Sequence, residues 1–216
     1  MTDAPHRLLL RRYGLAARWY DVVSMEPLLY RRGRVAVIEA LTLQPGERVL
    51  DIGTGTGLSL PLLADAVGDS GAVVGLDPSN QMLTQARARI ESSPWGGRVR
   101  LVSGTASTPP AELGRDFDVA LFAYSLGVMD DWRQAWDAAV ARVVPGGRIG
   151  VLDTDWPGGG WKLLAPAAAV ALAAGGVHPD RQVWRHAAEA LEHPMTRTLK
   201  GRHVRFTVGS VPSRRP

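Results

Sequence analysis

Three glycines at alternate positions follow a short apolar run that ends in an acid. In VLDIGTGTG the acid is Asp51, and Gly53, Gly55 and Gly57 form the loop behind it. Glycine adopts positive φ angles and has no Cβ, so this spacing favours the close approach of a flat or elongated ligand to the backbone. A dehydrogenase loop that seats a pyrophosphate needs the spacing GxGxxG, and Leu58 stands where its third glycine would fall.

A second acid, Asp77, ends the apolar run AVVGLD, twenty residues after Gly57. A carboxylate at this place can accept hydrogen bonds from both ribose hydroxyls of a nucleoside lying across strand ends. Asp51 at the loop mouth would repel a diphosphate and suits a ligand with a cationic end. Either acid alone is equally well explained as a capping or turn residue. Together, around a glycine loop, they favour a nucleoside with a cationic tail.

Apolar runs alternate with helix-period segments along the chain. The predicted strands are ERVLDI, AVVGLD, RVRLVS, FDVALFAY and GRIGVLDTD, and the predicted helices span about 30–42, 57–67, 79–92, 131–143 and 181–192. Strands that alternate with helices indicate βαβ units and a mainly parallel sheet, which binds ligands at the carboxyl ends of its strands. MTRTLK and HVRFTVG, joined by a turn around Gly201, predict an antiparallel pair that closes the sheet.

Length and composition restrict the class of protein. The 216 residues fit one α/β domain with a full core, and the absence of cysteine excludes a disulfide framework and thiolate zinc sites. No two of the five histidines are spaced i and i+4, so no metal site is predicted. The start MTDAPHRLLLRRYG lacks a signal-like apolar stretch, which predicts a cytoplasmic protein. Residues 163–177 are too short for a membrane span, which needs about 20 apolar residues, and predict a buried or lid helix.

The charge is unevenly distributed. Residues 1–34 carry seven basic and three acidic groups, residues 35–180 carry ten and sixteen, and residues 181–216 carry eight and two. Basic ends around an acidic centre suit an anionic membrane face or a nucleic acid, and equally a solvated surface rich in arginine.

Three motifs resemble those of class I S-adenosylmethionine-dependent methyltransferases. These are VLDIGTGTG, VVGLDPSNQML and ARVVPGGRIGVLD, which occur in the order and spacing of that family, and the resemblance covers residues 13–210. It implies a Rossmann-like, doubly wound, seven-stranded, mostly parallel sheet with an antiparallel last strand. The segment RYGLAARWYDVVSMEPLLYRRGR is similar to the start of the group with ubiquinone/menaquinone C-methyltransferases and bacterial phosphatidylethanolamine N-methyltransferases. That similarity implies N-terminal lid helices over residues 1–42 and a Rossmann-like core over 43–216, within a single domain.

The resemblance also implies the cofactor S-adenosyl-L-methionine and a set of residues that bind it. These are Asp51, Gly53, Thr54, Gly55, Gly57, Asp77, Pro78, Met82, Thr105, Ala106, Ser125 and Leu126. In this family Asp51 would support the methionine ammonium, Asp77 would hold the ribose, and Met82 would flank the adenine. Many members have an acid where this chain has Thr105, so a hydroxyl or backbone amide would meet the adenine amino group instead.

A catalytic residue is harder to assign. Methyl transfer from a sulfonium expels a neutral leaving group, so most of the rate can come from alignment in a dry pocket. A base is needed only for a phenol, ammonium or acidic-carbon acceptor. The candidates are Tyr20 at the predicted lid and Tyr124, Asp130, Asp153 and Asp155 near strand ends. Asp153 and Asp155 also leave open a divalent-metal O-methyltransferase.

The predicted acceptor is a small lipophilic or amphiphilic molecule, such as a phospholipid amine or a quinone precursor. LGVMDD does not match the FGLRN-like stretch usual in the quinone enzymes, which weakens the assignment of a quinone acceptor without naming another. AYSL replaces the [DN]PP[YFW] motif of base-methylating enzymes, so methylation of DNA bases is not expected and nucleic acid is not the predicted partner. The alternatives are a non-catalytic S-adenosylmethionine-binding protein, an RNA methyltransferase and a nicotinamide-dependent dehydrogenase. None of these patterns indicates the oligomeric state.

The first 34 residues predict peripheral contact with an anionic membrane. In RLLLRRYGLAARWY, the apolar residues Leu8, Leu9, Leu15, Trp19 and Tyr20 are interleaved with arginines at 7, 11, 12 and 18. On a helix, these apolar residues would rest at the lipid boundary while the arginines met anionic headgroups. The competing hypothesis is that they pack on the domain as a lid.

Overall fold

The computed structural model describes residues 30–156, 178–199 and 203–213. Most of the predicted N-terminal lid, with Tyr20 and the basic apolar segment, lies outside the described residues, as do the predicted helix at 163–177 and the turn at Gly201. In the ranges that are described, no helix is both long and apolar enough to cross a bilayer.

A twisted sheet forms the centre of the described chain. Its strands are β1 (Arg48–Ile52), β2 (Ala72–Asp77), β3 (Val99–Ser103), β4 (Phe117–Ala123), β5 (Val143–Thr154), β6 (Glu192–Thr198) and β7 (Val204–Ser210). The helices are α1 (Arg31–Ala40), α2 (Leu60–Val67), α3 (Asn80–Glu91), α4 (Trp132–Val140) and α5 (Val183–Ala190), with 3₁₀ helices at Gly96–Arg98, Ala111–Leu113, Leu126–Val128 and Pro179–Arg181.

The strand order is β3-β2-β1-β4-β5-β7-β6. The pairs from β3 to β5 are parallel, and β7 is antiparallel to both β5 and β6. This confirms the predicted seven-stranded, mostly parallel sheet with a reversed last strand. The order reverses between β1 and β4, and a doubly wound sheet binds its ligands at such a switch point.

Both faces of the central strands are buried, which explains their nearly continuous apolar sequences. In β1, Val49 belongs to one hydrophobic cluster and Leu50 to the other, and both are fully buried. Val119 and Phe122 divide in the same way in β4. Because neighbouring side chains on a strand point to opposite faces, each strand supplies two cores at once.

Helix α1, which the prediction placed within lid residues 1–42, packs on the sheet. Val37 and Leu41 are fully buried, and side-chain atoms of both lie 3.2 Å from where a Cβ on Gly150 of β5 would be. The same helix buries Arg34, whose guanidinium lies 5.2 Å from the ring centroid of Tyr124. Residues 31–40 therefore form part of the layer that covers the sheet.

Some boundaries differ from the prediction for local reasons. Helix α2 begins at Leu60 rather than near 57, because Gly57 has a φ of +82° and its N–H closes a turn on the Thr54 carbonyl. Strand β5 begins at Val143, before the predicted GRIGVLDTD, because an irregularity in register lets Val143 pair with the start of β4.

Candidate active site

Asp51 lies buried at the carboxyl end of β1. The Thr54 hydroxyl donates a hydrogen bond of 2.6 Å to its Oδ2. Burial raises the pKa of Asp51 to about 6, against the opposing effects of the Thr54 hydrogen bond and the Arg34 charge, while the Asp77 charge adds to the rise. The end of β1 therefore holds a carboxylate whose charged form is disfavoured by its burial.

Asp77 occupies the equivalent place at the end of β2. Its Oδ2 accepts the Gly55 N–H at 2.9 Å and its Oδ1 accepts the Ser79 N–H at 2.8 Å. Burial raises the pKa of Asp77, and these two hydrogen bonds oppose the rise. Each carboxylate oxygen has a second lone pair, so Asp77 can fix the glycine loop and still accept ligand hydroxyls.

The three loop glycines have different surroundings. A side chain on Gly53 would overlap the Cβ of Ser125, and one on Gly57 would begin 2.8 Å from Leu60 Cδ1 and 3.1 Å from the Cβ of Ala86. Gly55 has a φ of +56°, and no atom lies within 4 Å of where its Cβ would be. The loop thus packs tightly at both ends and has open space at its centre.

The residues expected near the adenine follow β2 and β3. Met82 is buried in the first turn of α3, and its N–H donates to the hydroxyl of the N-cap residue Ser79 at 3.3 Å. Pro78, directly after Asp77, is partly buried. Beyond β3, the Thr105 hydroxyl shares a 2.7 Å hydrogen bond with Thr108. Ala106 packs against the buried core.

The segment after β4 leaves the sheet in an uncommon backbone conformation. Tyr124 has a φ of +58°, a region that non-glycine residues seldom occupy. Its N–H donates to the Leu152 carbonyl, and its hydroxyl donates to the Tyr30 carbonyl at 3.3 Å. Ser125, which is buried, donates from Oγ to the Ile52 carbonyl at 2.6 Å, and Leu126 is fully buried. The β4 segment is therefore fastened to β1 and β5, with the Tyr124 side chain turned towards α1.

The end of β5 contributes two more buried carboxylates. Asp153 accepts the Gly127 N–H at 3.0 Å on Oδ2. Burial raises its pKa to about 6, while its backbone hydrogen bonds and the charge of Arg181 pull the pKa down. Asp155 forms a 2.7 Å ion pair with Arg205 of β7. In the part of the chain that the structure describes, no cluster of three metal-ligating side chains occurs.

Two arginines of this site were not among the predicted residues. Arg34 is buried beneath Tyr124 and lowers the pKa of Asp51 by its charge. Arg181 donates to the carbonyls of Gly127 and Met129. In a chain with arginines throughout its surface, the sequence carries no signal that separates these two from solvated ones.

The site matches the chemistry of S-adenosylmethionine. The ligand's elongated nucleoside can pass over the open face at Gly55, and its ribose hydroxyls suit the remaining lone pairs of Asp77. Asp51 is a buried carboxylate, and a cationic ammonium or sulfonium beside it would stabilise its charged form.

Comparison with known proteins agrees with this geometry. The family described as a methyltransferase domain matches residues 49–147. The ubiquinone/menaquinone biosynthesis C-methyltransferase of Ectopseudomonas mendocina is 32% identical over 201 residues, which cover 89% of this chain and 77% of that protein. An uncharacterized 37.1 kDa transposon protein of Streptomyces fradiae is 38% identical over 126 residues, and the match spans only 35% of its length.

Solved structures share the fold. A methyltransferase from Aquifex aeolicus has a TM-score of 0.62 at 17% identity, covering 82% of this chain and 89% of its own. Phosphoethanolamine N-methyltransferase 2 of Haemonchus contortus, in complex with S-adenosyl-L-methionine, has a TM-score of 0.66 at 14% identity, covering 83% and 52%. The fold, the site and the sequence matches define a class I S-adenosylmethionine-dependent methyltransferase. The chain belongs to this family near the ubiquinone/menaquinone C-methyltransferases, and its cofactor is S-adenosylmethionine.

Proposed function

We propose that the enzyme methylates a small lipophilic or amphiphilic acceptor, and that this acceptor is an electron-rich ring of a quinone precursor. The observation that carries the proposal is the 32% identity to a ubiquinone/menaquinone C-methyltransferase, which extends over 89% of the chain. The match therefore includes the β4 and β5 ends beside which the acceptor must lie, as well as the cofactor loop.

The arrangement of groups along the carboxyl ends of the strands supports separate places for the cofactor and the acceptor. Bound S-adenosylmethionine supplies a methyl group on a positively charged sulfur. In this proposal Asp77 and Gly55 bind the nucleoside at the β1 and β2 ends, and the acceptor lies at the β4 and β5 ends. There Trp156 is 38% exposed, and its indole Nε1 donates to Asp180 Oδ1 at 2.8 Å. A fixed, exposed aromatic ring suits a flat, apolar acceptor.

The described candidates for a base already have partners. Asp155 is paired with Arg205, and the Tyr124 hydroxyl is directed to the Tyr30 carbonyl. Asp153 accepts backbone N–H groups on both oxygens, and Asp130 lies 3.5 Å from a guanidinium nitrogen of Arg181. We infer that alignment of donor and acceptor supplies most of the rate. The acceptor would react as its phenolate after losing its hydroxyl proton to water, and the ring proton that the methyl group replaces would also pass to water.

Direct transfer assays test the acceptor class. Purified protein and methyl-labelled S-adenosylmethionine are incubated separately with a dithionite-reduced short-chain demethylmenaquinone, phosphatidylethanolamine in detergent micelles, bulk transfer RNA and a fractionated cell extract. The proposal predicts label on the ring carbon of the quinol, identified by mass spectrometry. The variant Asp77→Ala serves as a control with weakened cofactor binding.

Other results would redirect or overturn the proposal. Label on the phospholipid amine alone would replace the quinone with an amine acceptor, and label in transfer RNA alone would overturn a lipophilic acceptor. Tight cofactor binding without transfer to any fraction would support a non-catalytic binding protein instead.

We further propose that the protein reaches its acceptor at an anionic membrane surface. The support is the interleaved apolar and basic sequence of residues 7–20, which lies outside the described residues. Arginines near an anionic surface contribute on the order of 1 kcal/mol each. Sedimentation with vesicles should therefore show binding that rises with anionic lipid and falls with salt.

A paired charge reversal sharpens that experiment. Arg11→Glu with Arg12→Glu should abolish sedimentation with anionic vesicles. The matched control reverses two exposed arginines of the folded domain, Arg87 and Arg115, and should retain binding. Equal recovery of the wild type in the supernatant with and without anionic vesicles would overturn the membrane proposal.

A further inference from the structure

Gly127, in the segment between β4 and α4, is held at both of its backbone polar groups. Its N–H donates to Asp153 Oδ2 at 3.0 Å, and its carbonyl accepts from Arg181 at 2.9 Å. The partners come from different parts of the chain, since Asp153 is 26 residues away on β5 and Arg181 is 54 residues away on a 3₁₀ helix. The same guanidinium also donates to the Met129 carbonyl.

The contact with Asp153 leaves no room for a side chain at position 127. A Cβ on Gly127 would overlap the carboxylate of Asp153. No positive φ accounts for the glycine. The carboxylate of Asp153, which accepts the Gly127 N–H, occupies the space that a side chain at position 127 would need. Glycine at 127 therefore allows this hydrogen bond to form.

The segment that contains Gly127 also contacts the glycine loop at Gly53. A Cβ on Gly53 would overlap Ser125 and would lie 3.4 Å from the terminal carbon of Met129. Ser125 is tied to the end of β1 through its hydroxyl. Residues 125–129 thus connect the glycine loop with the β5 end, which under the proposed function lie beside the methyl donor and the acceptor.

We propose that Asp153 and Arg181 are positioning residues for methyl transfer, which act together by clamping the segment 125–130 through Gly127. Neither residue reacts with the methyl group. Their effect is to keep the wall between donor and acceptor in one place, because a misplacement of about 1 Å in such a site can cost roughly a hundredfold in rate.

An aspartate and an arginine at the opposite end of the sheet also bond to backbone groups, and they provide matched control variants. Asp118 accepts the Arg48 N–H at 2.8 Å, and Arg148 donates to the Leu41 carbonyl at 2.8 Å and pairs with Glu47. These carboxylate and guanidinium groups hold backbone away from the site. Asp118→Ala and Arg148→Met should lower thermal stability and leave the catalytic rate unchanged.

The test compares three readouts in Asp153→Ala and Arg181→Met. The first is the maximal rate of label transfer into the extract fraction that the wild type labels. The second is the dissociation constant of S-adenosylhomocysteine, measured by calorimetry. The third is hydrogen exchange of peptides that contain residues 124–131. The clamp predicts a rate loss of roughly tenfold to a hundredfold, affinity within about threefold, and faster exchange in this segment.

Rescue and coupling separate positioning from general stability. Asp153→Asn keeps an acceptor for the Gly127 N–H, and Arg181→Lys keeps a cationic donor, so both should recover part of the rate lost in the stronger substitutions. Because the two side chains hold one residue, the rate losses of Asp153→Ala and Arg181→Met should combine to less than their product.

Several results would overturn the proposal. A wild-type maximal rate in both variants would do so, as would a loss of S-adenosylhomocysteine affinity in proportion to the loss of rate. Hydrogen exchange of the 124–131 peptides that is unchanged in both variants would also contradict a positioning role for Asp153 and Arg181. These readouts do not depend on the identity of the acceptor, so a failure to methylate the quinol would leave them intact.

Discussion

The two ends of the ligand-binding edge are built in different ways. At the β1 and β2 ends, Asp51 is bonded to Thr54, three residues away, and Asp77 to the N–H groups of Ser79 and Gly55, two and 22 residues away. At the β4 and β5 ends, Gly127 is fixed by partners 26 and 54 residues away. The first end therefore combines bonds within one loop with a bond between loops, whereas the second end is held only by bonds between separate parts of the chain.

We propose that the β1 and β2 ends bind the cofactor and that the β4 and β5 ends bind the acceptor. Substitutions at the first end should then change the affinity for the cofactor, and substitutions at the second end should change the rate of transfer. The following predictions test that separation, beginning with the largest expected effect.

Substitution of Gly55 should abolish cofactor binding while leaving the fold nearly intact. Its Cβ position is open, so Gly55→Val places a branched side chain in the space that the cofactor needs, with a backbone cost of roughly 1–2 kcal/mol for the positive φ. Calorimetry should show a loss of more than about a hundredfold in affinity, which corresponds to roughly 2.7 kcal/mol. Gly53→Ala is the contrasting variant and should lower the melting temperature more strongly, because it overlaps Ser125.

The two variants separate the face of the loop that meets the ligand from the face that packs on the protein. If Gly55→Val binds S-adenosylmethionine like the wild type, the open face of the loop is not the ligand face.

Removal of the Asp77 carboxylate should weaken cofactor binding by roughly tenfold to a hundredfold. Hydrogen bonds to charged groups are worth about 1.5–3 kcal/mol, and Asp77→Ala would also release the N–H groups of Gly55 and Ser79. Asp77→Asn should be less severe, since the amide oxygen can still accept. Calorimetric affinities of S-adenosylhomocysteine measure both, and equal affinity in Asp77→Ala and the wild type would exclude the ribose role.

Cofactor affinity should fall as the pH drops through about 6. Asp51 has a pKa raised to about 6, so it is mostly charged at pH 7 and mostly protonated at pH 5. A cationic ligand binds the charged form better, and affinity should therefore decrease by roughly tenfold from pH 7 to pH 5. Isothermal titration across this range tests the effect, and Asp51→Asn should flatten the profile.

The same carboxyl should affect folding stability in the opposite direction. Its pKa is higher in the folded chain than the value near 3.8 for an ordinary carboxyl, so the folded state binds the proton more tightly. Stability is therefore lost as the pH rises from about 4 to 6, by roughly 3 kcal/mol in total. Asp51→Asn should unfold at higher urea than the wild type at pH 7.5, and the difference should shrink towards pH 4.5. An advantage that is equal at both pH values would contradict the raised pKa.

The smallest effect is expected at Tyr124. Its hydroxyl makes a 3.3 Å hydrogen bond to the Tyr30 carbonyl, so Tyr124→Phe should cost about 1 kcal/mol or less of unfolding free energy. The rate of methyl transfer should stay within about threefold, because the ring and its contact with Tyr30 remain. A much larger loss of rate, with normal cofactor affinity, would make Tyr124 a catalytic residue.

The sequence predicted the architecture well because the fold repeats local signals. Alternating apolar runs and helical periods gave the parallel strands, and the MTRTLK and HVRFTVG runs gave the reversed pair. Boundaries were less accurate where the backbone departs from the pattern. At Gly57, for example, a positive φ delays the start of α2.

The residues proposed to bind the cofactor were identified from the sequence, and the fold brings them together at the ends of β1 and β2. Asp51, the loop glycines and Asp77 lie within 27 consecutive residues, and their types and spacing are enough to indicate a nucleoside with a cationic tail. That Gly53 and Gly57 are packed while Gly55 is open could not be predicted, because it depends on Ser125 and Ala86 from other elements.

Only the tertiary structure decided which groups surround the β4 and β5 ends. Asp153 was one of several candidate carboxylates, and nothing in its neighbourhood along the chain indicates that it holds the Gly127 N–H. Arg181 and Arg34 resemble any surface arginine in the sequence, whereas the fold buries Arg34 and directs Arg181 to backbone carbonyls. Hydrophobic period and glycine spacing are properties of neighbouring residues, so the sequence alone indicated the strands, the helices and the glycine loop. Contacts between distant residues arise only when the chain closes on itself, so the partners of Gly127 were decided by the fold.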